Sequence, residues 1–334
     1  GASSSTGQSN VFIGANAANA ATDIDEAVVI GRYALKTAED NNHDGVIAIG
    51  AQALEDLNVG GGNGTTAVGY QAGHALTTAV NNTLLGRQTL KTATTSSGSV
   101  MLGKSAGEAS TTGDNNIAIG VSAMDAATSA YDNVAIGRDA MGTGTLTGFH
   151  NIAIGKNAGL SMAGGYNHIL LGPTAGDALT GGRNNVALGQ HALGGSTANV
   201  GCIAIGSAAM QAINSTDADH TVGIGNEVLV SLTDGEGNVA IGHQVLDAIT
   251  TGNYNTAVGY QALTNAGTGV GYSTAVGYRA GYKLGDDGGS DHSTQNTLLG
   301  YLALGGGHDT VANNTAHANV AIGYRAGGGL TGTS

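Results

Sequence analysis

From Asn10 almost to its last residues the chain repeats one pattern: a short apolar run closes on a glycine, and a polar stretch rich in Asn, Asp, Gly, Ser and Thr leads to the next run. One copy reads Asn116-Ile117-Ala118-Ile119-Gly120-Val121-Ser122-Ala123-Met124. In general terms it is a small polar residue, a β-branched or aliphatic residue, a small apolar residue, an aliphatic residue, the anchor glycine, two variable positions, Ala, and then Leu, Met or Gly. Eighteen copies run from the anchor Gly14 to the anchor Gly323, in steps of 17 to 23 residues. A near-constant step with occasional insertions is the mark of a solenoid, in which insertions fall in loops while the coil is kept. The runs are short and rich in Val and Ile, and turn-forming residues bound them, which favours strand over helix. The pattern predicts an all-β, parallel β-solenoid of about 18 coils of 17–23 residues each. It occupies residues 10–327 as a single repeat domain, between a polar lead-in at 1–9 and a tail at 328–334. Each coil is expected to hold one strand before the anchor glycine and a second short strand around the following Ala.

Positions are numbered here from the anchor glycine. Side chains alternate along a strand, so −3 and −1 share a face and −2 occupies the other. The larger aliphatics at −3 and −1 are expected to fill the coil. Position −2 then points outward, yet it is never polar, and in eleven copies it is alanine: Ala48, Ala67, Ala118, Ala135, Ala153, Ala187, Ala204, Ala240, Ala257, Ala275 and Ala321. Stacked coils would line these residues into an apolar stripe, and a long exposed stripe marks an interface. Its small side chains predict close backbone approach between copies, in a closed, parallel homo-oligomer. At about 4.8 Å of rise per coil the eighteen coils would make a rod of roughly 85 Å.

Composition narrows the class. Of 334 residues 59 are Gly and one is Pro, without the three-residue period of collagen. Regular aliphatic runs also argue against disorder. The net charge is −13, and the 11 Lys and Arg residues sit singly. A nucleic-acid binder needs a basic stripe, so nucleic acid is not an expected partner. No apolar run is long enough for a transmembrane helix, and no insertion into a membrane is expected. The single cysteine, Cys202, reads as a small buried side chain at a repeat start.

The pattern Asn-Ile-Ala-Ile-Gly-x-x-Ala, clearest at Asn116–Ala123, Asn151–Ala158 and Asn238–Ile241, resembles the head repeat of trimeric autotransporter adhesins of the YadA type. It is also similar to repeats of bacteriophage tail fibres, as in Asn255-Thr256-Ala257-Val258-Gly259-Tyr260-Gln261-Ala262-Leu263. The resemblance spans nearly the whole chain. It implies a left-handed β-roll and a homotrimer with the small-residue strand toward the axis. The steps are longer than those of the compact adhesin head, so larger return loops are expected. Nothing after Gly327 resembles a coiled-coil stalk or a membrane-anchoring barrel.

Gly98-Ser99-Val100-Met101-Leu102-Gly103-Lys104-Ser105 fits the phosphate-loop pattern, but that motif is a loop between strand and helix. Here its middle residues are the repeat strand. Asp40, Asn42 and Asp44 match the first half of a calcium loop, with Ala51 where the bidentate Glu should stand; calcium is the one cofactor the residues suggest. Asp286, Asp287 and Asp291 form a weaker acidic group. The ten histidines show no metal-ligand spacing and are expected in solvent. Sequons stand at Asn63, Asn81, Asn214 and Asn313. A stacked solenoid offers little concave volume for a substrate, so an enzyme is not expected. Position +1 carries Tyr260, Tyr278, Tyr301 and Tyr324 toward the C-terminal side, near the long loops 282–295 and 305–318. Tyrosine is common in recognition surfaces, and these four are the candidate recognition residues.

The expected function is structural or adhesive: an extracellular or cell-surface fibre subunit forming or decorating a filament, with a cell-surface or matrix ligand. A bacteriophage tail-fibre segment on the virion, recognising a host receptor, is the alternative, and a glycan-binding module is a third. Ice binding would need a flat, regular outer face, and +1 is too varied for one. Neither end shows a cap, which suggests a piece of a longer fibre or end-to-end stacking into a filament.

Overall fold

A computed structural model describes residues 7–21, 24–38, 43–58, 63–214, 216–266, 269–282, 284, 295–305 and 317–327. The chain divides into two compact units, Gly1–Asn167 and His168–Ser334. The first holds nine three-residue strands, from β1 (Val11–Ile13) to β9 (Ile152–Ile154); the second holds nine more, from β10 (Ile169–Leu171) to β18 (Val320–Ile322). Each strand is one copy of the repeat motif. Within each unit successive strands pair in parallel and in register, as in Ile117↔Val134, Ala118↔Ala135 and Ile119↔Ile136. No α-helix occurs among the described residues, where a single 3₁₀ turn covers Thr216–Ala218. The chain is an all-β parallel solenoid.

The anchor glycine is required twice over. Gly120 has φ +140, a backbone conformation that side-chain-bearing residues rarely adopt. A Cβ there would also lie 2.5 Å from the carbonyl oxygen of Gly137 in the next coil. The same close approach recurs up each unit, and the last anchor, Gly323, meets nothing.

The expected second strand is not formed. Positions +2 and +4 have positive φ, for example Ser122 at 53° and Met124 at 52°. Alternating left-handed residues coil this wall too tightly for a strand. Its backbone is nevertheless paired between coils: Ser122 N–H donates to Lys104 O at 3.0 Å and Met124 N–H to Ala140 O at 2.9 Å.

The two faces of the strand are the reverse of the sequence expectation. Ala48, Ala67, Ala118, Ala135, Ala153, Ala187, Ala204, Ala240, Ala257 and Ala275 are fully buried within the isolated chain, and Ala321 nearly so. Positions −3 and −1 face out, with Ile117 at 37%, Ile154 at 38% and Leu85 at 52% exposure. The alanines therefore form the inner wall and are not available as an interface between copies. The reason is volume. Position −2 faces position +4 across the coil, and in seven of the eleven alanine copies +4 is Leu or Met, as in Ala118 with Met124 or Ala204 with Met210. Where −2 is Met or Leu, a +4 glycine of its own copy or of the preceding one makes room. A Cβ on Gly107 would stand 3.0 Å from Met101 Sδ, and one on Gly176 2.9 Å from a Leu170 methyl. Gly223 is the converse, a glycine at −2 whose Cβ would meet Met210 at 3.0 Å.

A polar spine completes the core. At −4 the buried Asn133 backbone N–H donates to Asn116 Oδ1 at 3.1 Å, and Asn133 Nδ2 donates to Gly148 O at 2.9 Å. Asn151 N–H donates in turn to Asn133 Oδ1 at 2.9 Å. The second unit repeats this with Asn238 and Asn255. Each buried amide is thus satisfied by the coil above it.

Candidate functional site: outward ladders of the solenoid

Parallel, in-register coils turn every repeat position into a column of equivalent side chains. Function must be sought in the columns that face out.

The first is the strand face itself. Position −3 is Val, Ile or Thr in all 18 copies, and position −1 is Ile, Leu or Val in all 18. No charged residue interrupts either column, although the chain carries a net charge of −13. β-Branched side chains are stiff at χ1 and stand squarely off a pleated surface. The result in each unit is an uncharged face of aliphatic and Thr side chains.

The second is the tyrosine column of the second unit. Tyr260, Tyr278, Tyr301 and Tyr324 stack with ring centroids 5.4, 5.1 and 5.2 Å apart and planes within 9° of parallel. His243 extends the column at 5.4 Å from Tyr260, tilted by 37°. The four tyrosines are 38–72% exposed. Their ring faces are largely given to one another, so they present edges and hydroxyls outward. Arg279 lies 5.4 Å from the Tyr278 ring and 4.9 Å from that of Tyr282; Arg325 lies 5.6 Å from Tyr324. A shorter stack, Tyr131–Phe149–Tyr166 at 4.9 and 5.0 Å, stands in the first unit. Sequence reading did not find it, although its signal was an aromatic at −6 in three successive copies.

Beside the tyrosines runs a polar column at +2. Arg279 Nε–H donates to Gln261 Oε1, Gln261 Nε2 to Gln244 Oε1, and Gln244 Nε2 to Glu227 Oε2, each at 2.8 Å. In the first unit Gln88 donates to Gln71, Gln71 to Gln52, and Gln52 to Glu55. Both chains of amides end on a carboxylate, so every link has a donor and an acceptor. At +5 the charges pair along the column, Lys36 with Glu55 at 3.3 Å and Lys91 with Glu108 at 3.7 Å. Asp125, next above Glu108, has its pKa raised, by burial first and then by Glu108 and Asp139. Asp177 and Asp247 are raised chiefly by burial.

Of the calcium candidates, Asp40 and Asn42 lie outside the described residues, as do Asp286, Asp287 and Asp291. Asp44 accepts the Asp25 backbone N–H at 3.2 Å. The same role is taken by Asp114 for Ser97 and by Asp219 for Val200, both at 2.7 Å. These acids therefore serve as rungs between coils at −6. Among the described residues no three His, Cys, Asp or Glu side chains converge as a metal site. An open depression of about 440 Å³, unforeseen from sequence, is lined by Asp217, Asp219, His220, Glu236, Asn253 and Tyr254. Glu236 accepts the Tyr254 hydroxyl at 2.9 Å, which raises the tyrosine pKa.

The phosphate-loop match lacks its context: Val100–Leu102 is a strand, Gly103 is an anchor glycine, and turns follow. Two histidines depart from the solvated expectation. His43 and His168 are buried, and His168 occupies the −4 spine position, where it accepts the Asn185 N–H at 3.4 Å. Burial holds its pKa down at about 4. Cys202 occupies the same spine, fully buried, its thiol 3.2 Å from Ala218 O and pushed up to about 11 by burial. The loops 282–295 and 305–318 lie mostly outside the described residues, as does Asn313.

In comparisons with known proteins, the chain matches no family model, and no curated protein or solved structure is significantly similar to it.

Proposed function

We propose that the chain is a fibrous subunit that assembles through its outward aliphatic face into a parallel homotrimer. The assembly would serve as an extracellular adhesive fibre or as a segment of a bacteriophage tail fibre. One observation carries the reading: the strand face is aliphatic or Thr and uncharged in every copy, on a chain that is otherwise acidic. At roughly 50 Å² of exposed side chain each, the eighteen outward strand residues of one unit present on the order of 900 Å². That is comparable with the ~800 Å² per partner of a standard interface. A closed parallel assembly would set like columns against like, and the uncharged face avoids repulsion between copies. The trimeric order rests on the resemblance to adhesin and tail-fibre repeats, with the aliphatic columns rather than the alanines toward the axis.

Light scattering tests the proposal. A mass of three chains, falling to one on Ile119→Asp with Ile136→Asp, is the expected result. A monomeric wild-type chain would overturn it.

A second reading has its own observation. The uniformly β-branched −3 column is a regular outward array of the kind ice binding needs. A monomer that shapes growing ice crystals, and loses this on Thr256→Asp with Thr274→Asp, would favour that reading.

A further inference from the structure

We infer that the tyrosine column of the second unit is an oxidative cross-linking site, at which neighbouring coils are joined covalently through dityrosine. Tyr260, Tyr278, Tyr301 and Tyr324 are each next to another phenol, with centroids 5.1–5.4 Å apart. All are exposed to a diffusing oxidant. The residues that would otherwise react first are withdrawn. The chain has no Trp. All five methionines and the only cysteine are buried. The Cys202 thiol, moreover, is held as a thiol rather than the reactive thiolate.

The co-reactant is hydrogen peroxide acting through a haem-type peroxidase. Each of two phenols loses one electron and its hydroxyl proton, giving two phenoxyl radicals. The radicals join through ring carbons ortho to oxygen, forming one C–C bond. The hydrogen on each joined carbon then moves to oxygen, restoring both phenols. The pair has lost two hydrogen atoms in all, and the peroxide, taking up those two electrons and two protons, leaves as two waters.

The placement gives the bond a purpose. Two of the three pairs, Tyr278–Tyr301 and Tyr301–Tyr324, bridge 23-residue steps, the longest in the chain; Tyr260–Tyr278 bridges 18 residues. Long insertions weaken the closure of one coil on the next, and a covalent link across them offsets that loss. The coils joined are already paired beside the rings, since Leu302 N–H donates to Tyr278 O at 2.9 Å and Arg325 N–H to Tyr301 O at 2.8 Å.

The test treats the full-length protein, mixed from unlabelled and ¹⁵N-labelled chains, with peroxide and a haem peroxidase, and then maps linked peptides by mass spectrometry. Links of Tyr278 to Tyr301 and Tyr301 to Tyr324 within one chain are expected, with slowed amide exchange at Leu302 and Arg325. Measured in a Tyr272→Phe background, which removes the separate exposed pair Tyr254–Tyr272 with centroids 5.4 Å apart, Tyr278→Phe with Tyr301→Phe keeps the stack but removes every adjacent phenol pair of the column, and should cut dityrosine fluorescence at least threefold. Tyr131→Phe should leave it unchanged, because Phe149 already separates Tyr131 from Tyr166. Links found only between chains, or a double variant that retains the yield of the Tyr272→Phe background, would overturn the inference. Neither outcome depends on the fibre reading, since intrachain links form in monomer or trimer alike.

Discussion

At the scale of single residues, the fold rests on positions where one atom decides. Gly120→Ala would place a methyl 2.5 Å from a carbonyl oxygen at a φ of +140, and should cost more than about 2 kcal/mol. Gly323→Ala meets no neighbour and should cost about 1 kcal/mol, from conformation alone. Denaturant midpoints would separate the two, and equal costs would show that the coil contact contributes nothing. His168 gives a pH signature. Its folded pKa of about 4 lies below its ordinary 6.5. The unfolded chain therefore binds the extra proton, and stability, complete above pH 6.5, is lost as the pH falls toward 4. The loss approaches about 3 kcal/mol, taking ~1.4 kcal/mol per pKa unit. His168→Asn restores the spine residue of the neighbouring copies and should flatten stability over that window. An unchanged pH profile in the variant would place the acid sensitivity elsewhere.

At the scale of the coil, wall faces wall. Ala118→Leu should overpack against Met124 and lower stability by about 1–3 kcal/mol. Met124→Gly in the same chain should recover part of that loss, reproducing the Met101 and Gly107 pairing of the preceding coil. A double-mutant cycle would measure the coupling. If Ala118 instead lay between copies, the single change would shift oligomeric mass and leave monomer stability alone. This complementarity was legible in the sequence: Met101 and Leu170 at −2 each precede a +4 glycine in their own copy, and Leu84 and Leu298 each follow one in the copy before. Reading each strand alone hid it, because in thirteen copies −3, −2 and −1 are all apolar and strict alternation then has two equivalent solutions, although Thr at −3 in the other five marked the outer side. The absent second strand was less visible. The left-handed residues at +2 and +4 include Gln52, Leu54, Ser122 and Met124, types with no marked preference for that conformation. The pairing of successive coils imposes it.

At the scale of the whole molecule, the outward columns determine behaviour that one copy cannot show. Charge placed on the strand face, as in Ile119→Asp with Ile136→Asp, should release single chains without loss of fold, because these side chains lie outside the core. Unchanged circular dichroism together with a reduced mass in light scattering is the expected pair of results. A variant that unfolds would instead assign the face to the stability of the single chain.

The repeat by itself determined the strand positions, the anchor glycines, the parallel register and the columns that follow from it. Those features depend on spacing and on local backbone preference, which a sequence carries directly. Which side of each strand is inside was decided only by the tertiary structure. Where all three strand residues are apolar, as in thirteen copies, no polar side marks the exterior, and the choice falls to the wall opposite. There Met, Leu or Gly at +4 leaves room for the small or large residue at −2, and sends the β-branched columns outward.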